Sequence, residues 1–144
     1  MARGEAMIIA GLGMRPNCPA QDLLDLIERA QAACAGQPIS ALAAPRFRST
    51  EPGLAQAVSR LALPLMLVDN QALAAVQHLC PTRSARAEAT TGFASVAEGV
   101  ALSAAGPGAS LILHRIANGS ATCALAQSAE ALRREPAAEP RMQA

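Results

Sequence analysis

Short apolar segments alternate with segments of helical periodicity along this chain, and this alternation constrains its fold more than any other feature. Residues 7–12 form an apolar run that ends in Gly-Leu-Gly, which predicts a buried strand that breaks at glycine. Apolar runs over residues 39–43 and 64–68 predict two further strands. The first half of the chain therefore supplies three core strands.

Amphipathic segments separate and follow these strands. Residues 19–34 repeat apolar side chains at helical spacing and end near a glycine, which predicts the first helix. A second helix is predicted from Pro52, because proline suits the first helical turn. A third, short helix over residues 70–76 is predicted to be capped by Asp69 or Asn70. Strands joined by helices in this order are expected to pair in parallel.

The chain is less regular after the third predicted helix. Residues 77–90 show no clear period, so an exposed loop is predicted there. Ser95 has the position of an N-cap, and Glu98 follows three residues later, as in a capping box. This pattern predicts a fourth helix that ends near Ala104.

The last predicted element is a β-hairpin. Apolar runs over residues 110–115 and 121–126 flank Asn118-Gly119, a dipeptide typical of hairpin turns. The predicted fold class is therefore α/β, a three-layer α/β/α single domain over residues 1–127 with a mixed, mainly parallel sheet and a C-terminal hairpin. Residues 128–144, rich in Ala, Pro, Glu and Arg, are predicted to form a flexible tail.

The composition disfavours several classes of function. Phe47 and Phe93 are the sole aromatic residues, which argues against a nucleic-acid module that stacks bases. A net charge of +1 predicts no strong attraction to nucleic acid or to an anionic membrane. The uncharged run over residues 99–113 is too short to span a bilayer. The four cysteines show no zinc-site spacing, which predicts no metal and a cytoplasmic protein with reduced thiols.

Four blocks of the sequence carry a family resemblance. They are IIAGLGMRPNCPAQDLLDLIERA, RSTEPGLAQAVSRLALPL, TGFASVAEGVALSAAG and NGSATCALA. In this order they resemble the CobE/CbiG C-terminal family of cobalamin biosynthesis, and T-G-x-x-S-V-A-E in the third block is the most distinctive. Two positions depart from the family pattern: Arg48 stands where Lys is usual, and His114-Arg115 replaces a late Pro-Lys. Lys-specific chemistry such as imine formation is therefore excluded at these positions.

The resemblance implies that the ligand is a carboxylate-rich precorrin-type tetrapyrrole and implies no cofactor. Longer family members resemble a hydrolase that opens a lactone on a cobalt-precorrin and releases acetaldehyde, and this chain corresponds only to their C-terminal part. Stand-alone members belong to the oxygen-dependent pathway. Three functions stay open: a carrier or accessory factor that binds the tetrapyrrole, an enzyme that acts on a precorrin substituent, and a non-catalytic partner of a precorrin methyltransferase or another pathway enzyme.

Ligands of α/β sheets usually bind beyond the carboxyl ends of the parallel strands, so the loops after the predicted strands supply most candidate residues. The candidate ligand-binding residues are Gly11, Gly13, Met14, Arg15, Arg48, Glu51, Gly53, Thr91, Gly92, Glu98, Arg115 and Thr122. Arg15 is favoured as a carboxylate ligand because guanidinium binds carboxylate through a planar fork. Gly11 and Gly13 either present backbone N–H groups to an anion or only form a tight turn. Pro16 argues against a dinucleotide-binding fingerprint.

Two carboxylates are candidates for catalysis. Glu51 either accepts a proton or orients a neighbouring arginine, or it only interacts with the N-terminus of the second helix. Glu98 either acts as a general base or is only the partner of Ser95 in a capping box. Spacing assembles no Ser-His-Asp set and no Cys-His pair, so the sequence leaves open whether the chain is an enzyme.

Overall fold

The computed structural model describes residues 6–129, and its centre is a five-stranded sheet in the order β3-β2-β1-β5-β4. The pairs β1–β2 and β2–β3 are parallel, whereas β1–β5 and β5–β4 are antiparallel. The sheet is therefore mixed, as predicted, but it is not mainly parallel, because two of its four strand pairs are antiparallel. The strands are β1 Ile8–Met14, β2 Ala41–Pro45, β3 Leu65–Val68, β4 Ser110–Ala117 and β5 Ala121–Gln127.

Helices cover both faces of this sheet, which confirms the predicted α/β fold class. Helices α1 and α2 pack on one face, and we call this pair the first layer. Residues 69–105 follow β3 and place α3 and α5 on the other face, and we call this segment the second layer. The helices are α1 Ala20–Ala33, α2 Pro52–Leu61, α3 Asn70–Ala75, α4 Ala85–Thr91 and α5 Ala97–Ala105. Short 3-10 helices occupy Arg46–Arg48 and Gln77–Leu79.

The period of two along β1 divides its side chains between the two layers. Ile8, Ala10, Leu12 and Met14 join the core cluster with α1 and α2. Ile9 belongs instead to the cluster beneath the second layer. Strand β1 is buried along its whole length, as expected for the central strand of a sheet covered on both faces.

The predicted break of the first strand at glycine is wrong, because β1 continues through Gly11 and Gly13 to Met14. A Cβ at Gly11 would clash with the Ala97 carbonyl oxygen. Glycine is therefore needed here for the close approach of α5 to the sheet, and not for a turn. The chain turns after the strand, where Asn17 has a φ of 65°.

The prediction of a loop over residues 77–90 is also wrong, because this segment contains a 3-10 helix and most of α4. Ser84 caps α4 by accepting a hydrogen bond from the Ala87 N–H at 3.1 Å. Gly92 ends the helix with a φ of 88°. Helix α4 has no buried residue, so its sequence carries no apolar period that would have predicted it.

The predicted hairpin is present as β4 and β5, joined by residues 118–120. The side-chain oxygen of Asn118 accepts hydrogen bonds from the N–H groups of Ser120 and Ala121, which closes the connection. The strands carry two register shifts, between Leu111 and Leu113 and between Leu113 and Ile116. The predicted flexible tail, residues 128–144, lies almost entirely outside the described residues.

Candidate ligand-binding cavity

A cavity of about 380 Å³ opens where β1, β2 and β4 end. This is the carboxyl end of the parallel strands, the edge at which α/β sheets usually bind ligands. The cavity is lined by Gly13, Met14, Arg15, Pro16, Pro45, Phe47, Arg48, Ser84, Arg86, Ala87, Thr90, Thr91, Val96, Arg115, Ala117, Asn118, Gly119, Ser120, Ala121 and Thr122.

Four arginines from four different parts of the chain line this cavity: Arg15, Arg48, Arg86 and Arg115. The described residues that line it include no aspartate and no glutamate. Within residues 6–129, the side chains of these arginines form no ion pair with a carboxylate. Because the arginine guanidinium group is positively charged in proteins, the described lining carries four positive charges and no negative charge of its own, which favours an anionic ligand.

Arg48 is held in place by two contacts at the cavity wall. Its Nε donates a hydrogen bond to the Met14 carbonyl at 2.9 Å. Its guanidinium lies 5.1 Å from the centroid of the Phe47 ring, within cation–π range. Phe47 stacks in turn on Phe93, with ring centroids 6.4 Å apart. These contacts leave the Nη groups of Arg48 free to bind a ligand.

Arg115 lies in a β-bulge of β4. His114 and Arg115 stand between the pairs Leu113–Leu125 and Ile116–Cys123, where β5 has a single residue. The bulge releases the Arg115 N–H from the strand ladder, and this N–H donates to Glu98 Oε2 at 2.9 Å. The Nε of the Arg115 side chain is buried and has no hydrogen-bond partner among residues 6–129. Such an unpaired buried donor costs about 1–3 kcal/mol.

Glu98 is fully buried and does not line the cavity. Its Oε1 accepts hydrogen bonds from the Thr82 N–H at 2.9 Å and from the Ser95 hydroxyl at 3.2 Å. Burial raises the pKa of Glu98, but the hydrogen bonds from Arg115, Thr82 and Ser95 outweigh it, so the pKa lies below its ordinary value. The ionised carboxylate therefore joins the segment before α4 to β4, and so fixes two walls of the cavity.

The capping box predicted at Ser95 and Glu98 is wrong. Helix α5 begins at Ala97, and its N-cap is Val96, which makes no side-chain cap. Ser95 is buried and donates to Glu98, whose oxygens face backbone N–H groups of other elements. Ser95 and Glu98 thus have the spacing of a capping box, but Glu98 uses it to link Ser95 to backbone N–H groups of other segments.

The structure brings seven of the candidate residues to the cavity and places five elsewhere. Those that line it are Gly13, Met14, Arg15, Arg48, Thr91, Arg115 and Thr122. Those that do not are Gly11, Glu51, Gly53, Gly92 and Glu98. The three glycines of the second group have backbone roles: Gly11 lies against α5, Gly92 ends α4, and a Cβ at Gly53 would clash with the Cys18 carbonyl oxygen.

Glu51 occupies the N-cap position of α2 but makes no side-chain cap there. Its Oε1 accepts a hydrogen bond from the Asn17 N–H at 2.7 Å. Asn17 belongs to the loop that carries Arg15, and Glu51 follows the 3-10 helix that carries Arg48. Glu51 therefore holds together the two loops that present these arginines.

The sequence did not predict that Arg86 and the hairpin connection, residues 118–120, line the cavity. Arg86 lies on α4, which was predicted to be a loop. Ser120 lines the cavity, and its hydroxyl donates to Asp22 Oδ2 at 2.5 Å, while Asn118 Nδ2 donates to the Asp22 carbonyl at 3.0 Å. A serine three residues before Ala87 was the available sign of an N-cap for α4.

Histidines and cysteines contribute nothing to the lining of this cavity. His78 and His114 line a separate groove, which also includes Leu79 and Cys80. All four cysteines are free, and burial raises the pKa of Cys123 to about 12. Among residues 6–129, no three His, Cys, Asp or Glu side chains are grouped as metal ligands. No helix in the same range has the length and apolar character needed to cross a membrane.

The fold and the cavity together define a small α/β protein with a cationic site at the carboxyl edge of its sheet. Residues 8–126 match the family described as cobalamin synthesis G C-terminus, and the chain belongs to this family.

Individual relatives agree with this assignment. A curated relative, Protein CobE of Sinorhizobium sp, is 36% identical over 123 residues, which are 84% of this chain and 80% of that protein. The crystal structure of CobE, a protein from the cobalamin (vitamin B12) biosynthetic pathway, superposes with a TM-score of 0.79 at 32% identity, covering 85% of this chain and 90% of that one. The cobalamin biosynthesis protein chiG from Agrobacterium tumefaciens superposes with a TM-score of 0.68 at 29% identity, covering 86% and 100%. These relatives support a role in cobalamin biosynthesis.

Proposed function

We propose that this protein binds a carboxylate-rich, precorrin-type tetrapyrrole, as a carrier or accessory factor of the oxygen-dependent pathway of cobalamin biosynthesis. The observation that carries the proposal is the set of four arginines around one cavity whose described lining has no carboxylate. Each guanidinium can hold a carboxylate through two parallel hydrogen bonds. Several carboxylates on one rigid ring match several arginines that arise from separate elements.

The size of the cavity determines how such a ligand would sit. A whole tetrapyrrole is larger than about 380 Å³, so one edge of the macrocycle enters and the rest remains at the mouth. Arg15 and Arg86 are exposed, whereas Arg48 and Arg115 are half-buried. The two half-buried arginines would bind the carboxylates that enter, and the two exposed ones would bind those that stay near solvent.

The lining favours binding over catalysis. It includes no histidine, cysteine, lysine, aspartate or glutamate among the described residues, so a general base is missing at the surface of the cavity. The carboxylates predicted as catalytic candidates, Glu51 and Glu98, both accept backbone N–H groups and lie outside the lining. A carrier needs only the arginines.

One contact favours a second candidate function, an enzyme that acts on a precorrin substituent. The Ser120 hydroxyl lines the cavity and donates to the Asp22 carboxylate at 2.5 Å. A hydroxyl bonded to a carboxylate can be activated as a nucleophile. On this alternative, Ser120→Ala would abolish a chemical change in the ligand and leave its binding intact.

Titration with precorrin intermediates and with hydrogenobyrinic acid, followed by absorbance of the macrocycle, tests the proposal. A stoichiometric spectral change with unchanged ligand is expected. Arg15→Ala should weaken binding by about 1–3 kcal/mol, the usual cost of losing a hydrogen bond to a charged group, whereas Arg60→Ala on the exposed side of α2 should not. A chemically changed ligand would support the enzyme instead. Absence of binding at high concentration would refute both.

A further inference from the structure

We infer that the cavity selects ionised carboxylates over carboxamides, and that Arg115 is the residue that determines this specificity. The inference rests on the proposed function, because it names the chemical state in which the tetrapyrrole is bound. It concerns the same cavity but makes a separate claim: a ligand of equal size and shape is rejected once its carboxylates have become neutral amides.

The four guanidinium groups of the cavity match a carboxylate better than a carboxamide. Guanidinium has five N–H donors and no acceptor, and an ionised carboxylate has only acceptors. A primary carboxamide has one acceptor oxygen and an NH₂ group with two donors. Where a carboxylate would receive two parallel hydrogen bonds, an amide would set one donor against another and would also lose the charge attraction.

Three side-chain oxygens of the lining already accept hydrogen bonds from the protein itself. The Ser84 hydroxyl accepts the Ala87 N–H, and the Thr91 hydroxyl accepts the Phe93 N–H. The side-chain oxygen of Asn118 accepts two N–H groups of the hairpin connection. These three oxygens are therefore less available to receive the NH₂ group of an amide.

The backbone of Arg115 is held in a fixed position at the cavity wall. Its backbone N–H donates a hydrogen bond to Glu98 Oε2 at 2.9 Å, and the bulge keeps its backbone within the sheet. Its buried Nε lacks a partner among the described residues. The half-buried guanidinium of Arg115 lines the cavity, and a ligand without a suitable acceptor would leave this charged group unpaired. Sites that require a specific hydrogen bond reject ligands lacking it most strongly.

Binding of two matched porphyrins tests the inference. Uroporphyrin carries an ionised carboxylate on every side chain of the ring, and its derivative with primary carboxamides in their place keeps the same ring and nearly the same shape. Fluorescence titration of the purified full-length chain should give an affinity about tenfold to hundredfold higher for the carboxylate porphyrin than for the carboxamide porphyrin. This is the ratio expected when a charged hydrogen bond is lost. Equal affinities would overturn the inference and leave the proposed function standing. Binding of neither porphyrin would overturn both.

Variants assign the selectivity to Arg115. Arg115→Gln should reduce the ratio of the two affinities by about tenfold, mainly by weakening the binding of the carboxylate porphyrin. Arg60→Gln changes the net charge equally at a distance from the cavity and should leave the ratio unchanged. Arg86→Gln, on the exposed surface of α4, should lower the ratio less and serves if the Arg115 variant does not fold. An unchanged ratio in folded Arg115→Gln would show that Arg115 does not determine the specificity.

Discussion

The two layers that cover the sheet differ in regularity and in what they contribute. The first layer consists of two amphipathic helices whose apolar residues, such as Leu23 and Leu26, are fully buried. The second layer consists of short helices and turns around a buried ionised carboxylate, Glu98. Helices α1 and α2 supply no residue to the lining of the cavity, whereas the second layer supplies Ser84, Arg86, Ala87, Thr90, Thr91 and Val96.

This difference separates stability from recognition. Apolar burial by regular helices is the main source of folding free energy and requires no special chemistry. A ligand site needs polar groups, which proteins often carry on loops and irregular segments positioned by a rigid scaffold. Glu98 supplies these hydrogen bonds to Thr82 and Arg115. Substitutions in the two layers should therefore have different consequences.

The largest expected effect is on stability, from a substitution in the first layer. Leu26 is fully buried between α1 and the sheet. Leu26→Ala should lower the free energy of unfolding by about 3 kcal/mol, through lost burial and the cavity left behind. Leu79→Ala is the matched control, because Leu79 is 55% exposed, and it should change stability by less than about 0.5 kcal/mol. Urea denaturation followed by circular dichroism measures both, and comparable losses would contradict the assignment of the core.

A substitution in the second layer should affect both stability and binding. Glu98→Gln places an NH₂ group opposite either the Arg115 N–H or the Thr82 N–H, which leaves a buried donor unpaired. We expect a loss of about 1–3 kcal/mol in unfolding free energy and weaker tetrapyrrole binding at temperatures where the variant is folded. Glu28→Gln on the exposed side of α1 should change neither quantity. Normal binding by a destabilised Glu98→Gln would show that this carboxylate does not shape the cavity.

The sequence predicted the first layer better than the second, and the reason is physical. The first layer is organised by periodic burial, which a sequence displays directly as apolar spacing in residues such as Leu23, Leu26 and Ile27. Helix α4 has no buried residue, and Glu98 is buried through contacts with residues 16 and 17 positions away. Neither a surface helix of seven residues nor a long-range hydrogen bond leaves a period in the sequence.

The candidate site was predicted unevenly for the same reason. The topology places Arg15 and Arg48 after adjacent parallel strands, so their meeting at one edge follows from the order of elements. Arg86 reaches this edge on α4, a helix whose sequence has no apolar period. Gly11 was predicted as part of a ligand-binding turn, whereas its position depends on the approach of Ala97, a residue distant in the sequence. Close backbone packing of this kind is visible only in three dimensions.

The pH dependence of stability should come in part from the second layer. The pKa of Glu98 in the folded state lies below its ordinary value of 4.5. Its ionised form therefore stabilises the folded state above that value, and this contribution is lost as the pH falls through the lower, folded-state pKa. Between about pH 5 and pH 3 the wild-type protein should lose more unfolding free energy than Glu98→Gln does. Parallel loss in the two proteins would show that Glu98 is not the group that titrates.

The smallest expected effect is a difference in thiol reactivity between the two layers, which is measured on the unsubstituted protein. Cys80 is a buried residue of the second layer, and Cys123 is a buried residue of β5 in the core cluster that the first layer covers. Burial raises the pKa of both thiols, that of Cys123 to about 12, so each reacts only when its surroundings open. Cys80 directly follows the 3-10 helix Gln77–Leu79, and local opening of such a short, irregular segment costs less free energy than opening of the main core.

Alkylation at neutral pH, followed residue by residue with mass spectrometry, should therefore modify Cys80 before Cys123. Cys34 is half-buried and should react first, which makes it an internal control for the reagent. A difference of about 1.4 kcal/mol in opening free energy gives a tenfold ratio between the Cys80 and Cys123 rates. The ratio should shrink in urea as global unfolding exposes both thiols together. Equal rates in the absence of urea would mean that the two layers open as one unit, and that recognition and stability are not separated in this fold.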